Sequence, residues 1–180
     1  VAATLAFSTI ANNDKVGVIF FSDKIEKFIP AKKGKTHVLH IIRELLSFEP
    51  SSKGTDIAQA LQYFTNAQKR HCTAFLISDF IQSKLLEKPL LIASNRHEVN
   101  AIQIYDRREA ELPNIGLVKF HDAETDTDLW IDTSLTTVRN EYAQAWRDNQ
   151  HTIDQLFTRT GINHVSVRTD EDYVKALMHL

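Results

Sequence analysis

The chain has 180 residues, 43% of them hydrophobic and 24% charged, a length and balance that suit one globular domain with a substantial core and leave no place for long disorder. A formal net charge of -2 gives no reason to expect a nucleic-acid partner, and no window approaches the roughly 20 apolar residues of a membrane span. The single cysteine excludes an internal disulfide and fits a reducing, cytoplasmic compartment.

Residues 1–12 carry Ala2, Leu5, Ala6, Thr9 and Ile10 at helical spacing and predict an amphipathic helix closed by Asn12-Asn13-Asp14. Residues 16–21 are a near-continuous apolar run, the signature of a strand buried on both faces. Ser22-Asp23-Lys24 is a short turn, so residues 25–29 are expected to pair antiparallel with that strand at a sheet edge. Pro30 and the lysines Lys32, Lys33 and Lys35 suit such an edge. Val38, Ile41, Ile42 and Leu45 predict the next helix, with Thr36 as its cap. Ile57, Leu61 and Phe64 predict another, ending near Lys69-Arg70. Residues 73–78 read as a buried strand, 85–93 as a helix with Pro89 in its first turn or dividing it, and 99–105 as a third buried strand.

Residues 106–134 interrupt this rhythm. Residues 117–122 and 129–132 are short strand patterns around a polar turn at 123–128, and predict a β-hairpin added to the outside of the sheet. Val138, Tyr142, Trp146, Ile153, Leu156 and Phe157 predict a long helix that stops at Gly161. Val165-Ser166-Val167 is a last strand, and Thr169-Asp170-Glu171-Asp172 opens a final helix with a cap and acidic residues that match its dipole. The alternation predicts an α/β fold, a doubly wound, mostly parallel open sheet, in one domain over residues 1–180.

Two loops carry the candidate chemistry. Ser51-Ser52-Lys53-Gly54-Thr55-Asp56 delivers a hydroxyl and a carboxylate just before a helix, and Ser78-Asp79-Phe80 delivers a carboxylate just after a strand. Loops at the carboxyl ends of strands are where open α/β sheets bind ligands, and Thr55 with Asp79 suits a hard cation such as Mg²⁺. Other motifs carry less. Gly34-Lys35-Thr36 resembles the end of a phosphate loop, but Ile29 stands where the motif needs a glycine. His97-Glu98 starts like a zinc-protease helix, but Ala101 stands where the second histidine belongs. His37 and His40 read as solvated helix histidines, Cys72 as an inert core thiol, and Trp130 and Trp146 as covers for the core beneath the hairpin. A phosphoryl-accepting role for Asp79 would want a second aspartate at Ile81.

Residues 1–23 (VAATLAFSTIANNDKVGVIFFSD), 24–50 (KIEKFIPAKKGKTHVLHIIRELLSFEP), 53–57 (KGTDI), 74–80 (AFLISDF) and 106–133 together resemble a bacterial branch of the von Willebrand factor A-like proteins, the domain of unknown function fifty-eight. The resemblance implies a strand order of three-two-one-four-five-six and a metal-ion-dependent adhesion site. That site is built from an Asp-x-Ser-x-Ser motif after the first strand and, from later loops, a threonine matched by Thr55 and an aspartate matched by Asp79. The cation is Mg²⁺ or Mn²⁺, and an acidic group from a protein partner commonly completes its shell. The Asp-x-Ser-x-Ser motif does not occur here, the chain starts at Val1 inside a helical pattern, and its only methionine is Met178. The expectation is therefore a truncated domain that lacks the central first strand, binds no metal tightly, and exposes strand edges at residues 16–21 and 73–78 that lead to self-association, strand exchange or direct pairing of those two strands.

The first expectation for function is a non-enzymatic protein-interaction domain working with a MoxR-type AAA+ ATPase in complex assembly or maturation, with no nucleic acid and no membrane contact. The alternative is a metal-dependent hydrolase or phosphoryl-transfer enzyme using Asp79, for which no nucleophile or general acid can be named. A third possibility is a structural domain with a degenerate metal site.

Overall fold

The computed structural model describes residues 1–81, 86–122, 127–178 and 180. Its contacts gather in two compact units, Val1–Arg70 and His71–Leu180. In the first unit α1 (Ala2–Ala11) leads into β1 (Val16–Phe21), β2 (Ile25–Lys32), α2 (Lys35–Ser47) and α3 (Ile57–Ala67). The short turn makes β1 and β2 antiparallel, as expected.

Their ladder has two irregularities. Val16 faces Lys32 and Val18 faces Ile29, so Pro30 and Ala31 together stand opposite Gly17. A bulge is one of the few places where a strand tolerates proline, which has no N–H to give the ladder. Gly17 is required there by space, because a β-carbon on it would lie 2.8 Å from both the Ala31 nitrogen and the Ile29 carbonyl oxygen. The second irregularity leaves Glu26 without an opposite residue, between Ile25, which faces Phe21, and Lys27, which faces Phe20. The imperfect alternation over residues 25–29 has its cause there.

Val38 and Ile41 of α2, and Ile57, Ala60 and Leu61 of α3, are buried along with Ile29 of β2. The helix α2 packs on β1, and α3 packs on both strands. Two expectations need correcting. Thr36 does not cap α2; the chain turns into the helix at Gly34, whose φ of 105° side chains rarely adopt, and Thr36 already lies in the first turn. β1 is half-buried along most of its length rather than enclosed on both faces, and among the described residues β2 is its one ladder partner.

The second unit comprises β3 (Thr73–Ser78), α4 (Glu87–Ser94), β4 (Glu98–Tyr105), α5 (Arg107–Ala110), β5 (Leu117–Asp122), β6 (Thr127–Asp132), α6 (Thr136–Thr160), β7 (Asn163–Arg168) and α7 (Tyr173–Leu177). Three strands form a parallel sheet in the order β3-β4-β7. β4 lies in the middle, and residues 99–103 are buried without a break, as a strand flanked on both sides requires. α4 and α6 pack on each other, on β4 and on β7 respectively, and bury Leu90, Ala93, Ile153 and Phe157. Pro89 sits in the first turn of α4, where its missing N–H costs no helical bond; Leu85 lies outside the described residues. α6 ends at Gly161, whose φ of 64° is the left-handed conformation that closes helices. No helix among the described residues is long and apolar enough to cross a membrane.

β5 and β6 pair as the expected hairpin, but as a two-stranded sheet of their own, with no ladder to the parallel sheet. Most of the expected turn, residues 123–126, lies outside the described residues. Thr133 fastens the base of the hairpin: its N–H and hydroxyl donate to the Gly116 carbonyl at 2.8 and 2.7 Å, and its hydroxyl accepts from the Ile115 N–H at 3.1 Å. Trp130 is 61% exposed and does not cover a core, because its strand belongs to this separate ladder. Trp146 does pack, with its ring centroid 5.1 Å from that of Tyr105.

Gly17→Ala is expected to destabilise the first unit by about 1–3 kcal/mol, the usual range for an overpacked site. Urea unfolding monitored in parallel with amide exchange along β1 and β2 reads this, and an unchanged midpoint would show that the bulge relaxes freely.

Candidate functional site

Thr55 stands in the loop between α2 and α3 of the first unit, and Asp79 in the loop after β3 of the second. Both residues are exposed, and each loop has its own anchors.

The Thr55 loop is tied at both ends to the β1–β2 turn. Glu26, set free of the ladder by the bulge, accepts from the Ser51 N–H at 3.0 Å, from the Ser51 hydroxyl at 2.9 and 2.7 Å, and from the Ser22 hydroxyl at 2.7 Å. The Asp56 N–H donates to the Ser22 carbonyl at 2.8 Å. Gly54 passes close to Asp23, where a β-carbon would approach that of Asp23 to 3.3 Å. The Asp56 carboxylate accepts from the Gln59 N–H at 2.9 Å and so serves as the cap of α3. None of these bonds uses the Thr55 hydroxyl. Hydrogen bonds from Ser51 and then Ser22 hold the Glu26 carboxyl below the ordinary glutamate range.

The Asp79 loop is held from below. Phe80 has a φ of 56°, a left-handed conformation that costs a residue with a side chain about 1–2 kcal/mol. Its ring is fully buried, edge-on to Phe157 with centroids 5.2 Å apart. Removing such a ring costs about 3–5 kcal/mol, so packing outweighs the backbone cost. The Asp79 Oδ1 accepts from the Ile81 N–H at 3.2 Å, and the Phe80 N–H donates to the Ser78 hydroxyl at 3.2 Å. Gln103 Nε2 donates to the Asp79 carbonyl at 3.1 Å, and Gln103 Oε1 accepts from the Ser166 hydroxyl at 2.8 Å. Ser78, Gln103 and Ser166 are register partners across β3, β4 and β7. A polar row thus crosses the sheet near its carboxyl edge and fixes the main chain that carries Asp79.

The first loop offers a cation the Thr55 hydroxyl, and the second loop, in the other unit, offers an Asp79 carboxylate oxygen. Among the described residues no three His, Cys, Asp or Glu side chains are placed to hold a metal ion. Mg²⁺ demands near-octahedral oxygen coordination and gives up its waters reluctantly, so neither loop by itself fits it. The other motifs resolve as follows. His37 Nε2 donates to the Val16 carbonyl at 2.8 Å, so it ties α2 to β1 and is not a solvated histidine; His40 stands beside Glu44. His97-Glu98 opens a strand, which no zinc-protease helix could do. Cys72 Sγ lies 3.6 Å from His97 Nδ1, a partner 25 residues away that the sequence did not reveal. Burial pushes the Cys72 thiol up, the opposite of nucleophile activation. Sequence reasoning also missed Glu26, Ser51, Gln103 and Ser166; the one visible signal was the broken alternation around Glu26.

The family described as protein of unknown function DUF58 matches residues 1–152. An uncharacterized protein of Mycobacterium tuberculosis is 28% identical over 177 residues, covering 96% of this chain and 55% of its own length. One from Mycobacterium avium is 30% identical over 150 residues, covering 81% of this chain and 87% of its own length. The chain thus spans about half the length of the Mycobacterium tuberculosis relative. Among solved structures, the conserved hypothetical protein BatB from Bacteroides thetaiotaomicron aligns with a TM-score of 0.56 at 16% identity, over 98% of this chain and 82% of that one. An aerotolerance-related membrane protein from Bacteroides fragilis aligns with a TM-score of 0.60 at 16% identity, over 99% and 85%. At such identity the likeness is one of fold.

Two outcomes follow for the anchors. A lowered Glu26 pKa stabilises the fold fully above about pH 4.3, the ordinary glutamate value, and that contribution is lost as the pH falls through the lowered folded value. Wild type is therefore expected to lose more stability than Glu26→Gln on acidification below pH 4, measured by urea titration at each pH; parallel curves would remove Glu26 as the anchor. Gln103→Leu strands the Asp79 carbonyl and the Ser166 hydroxyl and is expected to cost about 1–3 kcal/mol. Faster amide exchange at Phe80 and Ile81 is expected to accompany that loss.

Proposed function

Because the chain belongs to the family described as protein of unknown function DUF58, we propose that it is a non-enzymatic protein-interaction domain of von Willebrand factor A-like fold. The observation that carries this reading is the mounting of Asp79. Its carboxylate is exposed at the carboxyl edge of a parallel sheet, on a main chain fixed by Gln103 and Phe80, with one oxygen engaged by the Ile81 N–H. A rigidly presented carboxylate suits recognition, whereas a hydrolase would need a nucleophile and a base within hydrogen-bond reach of each other.

In this proposal residues 1–180 form part of one interaction domain, and Thr55 and Asp79 are two ligands of an adhesion-type site for Mg²⁺ or Mn²⁺. Further ligands come from groups beyond these two, including an acidic side chain of the partner. The partner is a protein, a MoxR-type AAA+ ATPase, and the setting is the cytoplasm. The open edges of β1 and β3, each with one ladder partner among the described residues, add a route to self-association.

The test is a pull-down of a purified MoxR-type ATPase with the full-length protein that carries this chain. Capture is expected in millimolar Mg²⁺ and is expected to fall at least tenfold with a chelator, with Asp79→Ala or with Thr55→Ala. Capture indifferent to chelator would sink the adhesion-type site, and no capture would remove the ATPase as partner.

A further inference from the structure

The geometry points to a second binding site, a cleft at the carboxyl ends of β4 and β7 that takes a carboxylate side chain from a protein partner's segment crossing it. Tyr105 and Arg168 end those two strands and face each other in register. With Trp146 and Arg147 of α6, and Arg107 and Glu111 at the two ends of α5, they line a cleft of ≈ 290 Å³. This is the edge of a parallel sheet at which loops gather to form ligand sites.

The lining holds three guanidinium groups and one carboxylate, with Asp170 and Glu171 just outside it, and the three arginines differ in what already holds them. Arg168 is engaged, with Nε on Asp170 and Nη2 on Glu171 at 2.8 Å. Arg107 has Glu111 at 3.6 Å, a loose pair with side chains 64% and 66% exposed, and such pairs yield readily to a competing anion. Arg147 donates Nε and Nη2 to Gln144 Oε1 at 3.2 and 2.7 Å. That neutral acceptor orients the guanidinium without cancelling its charge, and no carboxylate pairs with Arg147 among the described residues.

The rest of the cleft is preformed. The Tyr105 and Trp146 rings pack at 5.1 Å as an aromatic wall. α5 is held by a capping box between Asp106 and Glu109 and by the Tyr142 hydroxyl, which donates to the Arg108 carbonyl at 3.2 Å. Size and chemistry then choose the occupant. Small-molecule sites start near 300 Å³, and this cleft, at that lower bound and open to solvent, admits one or two side chains of a chain that crosses it. An oriented guanidinium matches a planar carboxylate, and arginine beside tryptophan and tyrosine is the composition of protein-interface anchors.

The lining includes neither Thr55 nor Asp79, and the two readings fail separately, since the ATPase pull-down reads other loops. The probe is a fluorescein-labelled hexaglutamate peptide, followed by anisotropy on the purified chain. Saturable binding is expected, weakening as salt rises, and falling at least fivefold for Arg147→Gln but not for Arg43→Gln on α2. In a Trp130→Phe background Trp146 is the remaining tryptophan, and its emission is expected to shift on binding. Equal binding of hexaglutamine, equal loss with Arg43→Gln, or an unmoved Trp146 would overturn the proposal. So would tighter binding of a phosphoserine peptide or displacement by inorganic phosphate, either of which assigns the cleft to phosphate.

Discussion

A side-chain amide enclosed inside a parallel sheet must find partners for its oxygen and its nitrogen, because each left unmade costs about 1–3 kcal/mol. Gln103, 1% exposed in the middle strand β4, meets that demand sideways. It takes a hydrogen from Ser166 on one neighbouring strand and gives one to the main chain just beyond the other. The requirement of the core thereby becomes the geometry of the Asp79 loop. Phe80 adds the second constraint, since its ring cannot stay in the core unless the backbone holds its left-handed turn. Between them these two side chains leave Asp79 little freedom except at its carboxylate.

The first unit reaches the same end by a different device. A bulge frees Glu26 from the ladder, and the carboxylate gathers Ser22 and Ser51. There the anchor is charged and lies near the surface, so it responds to acid, whereas the Gln103 row is neutral and buried. The two loops are thus held by contrasting anchors, one sensitive to protonation and one to packing.

Much of this fold was legible as pattern. The largely apolar pattern over residues 99–105 announced a buried strand, and Gly161 announced the end of α6, because burial and left-handed closure each leave a local mark on composition. The register of a ladder leaves almost none, which is why Glu26 surfaced only as a broken alternation. Gln103 left no mark of its role, since its partner Ser166 is 63 residues away. Trp130 misled because an apolar side chain on a hairpin does not tell whether the hairpin lies on a core. Thr36 misled because a capping hydroxyl was sought where Gly34 had already turned the chain. The helix α5 was overlooked although Asp106 and Glu109 stand at capping-box spacing. Of the site residues, Thr55 and Asp79 were legible as loop positions, and the side chains that hold their loops were not.

The bond between Gln103 and Ser166 also sets an order of events. It spans 63 residues, with the hairpin and α6 between. Closing so long a loop is slow relative to forming a hairpin or a helix, since chain entropy must be lost before any contact compensates for it. β3, β4 and α4 can assemble from near neighbours, but the polar row is incomplete until β7 arrives. The Asp79 loop therefore reaches its final form only when the last strand docks, so that a nascent or partly unfolded chain displays the aspartate without its mounting. Protection of the Ile81 amide during refolding, arriving with β7 rather than with β3, is the signature of that sequence.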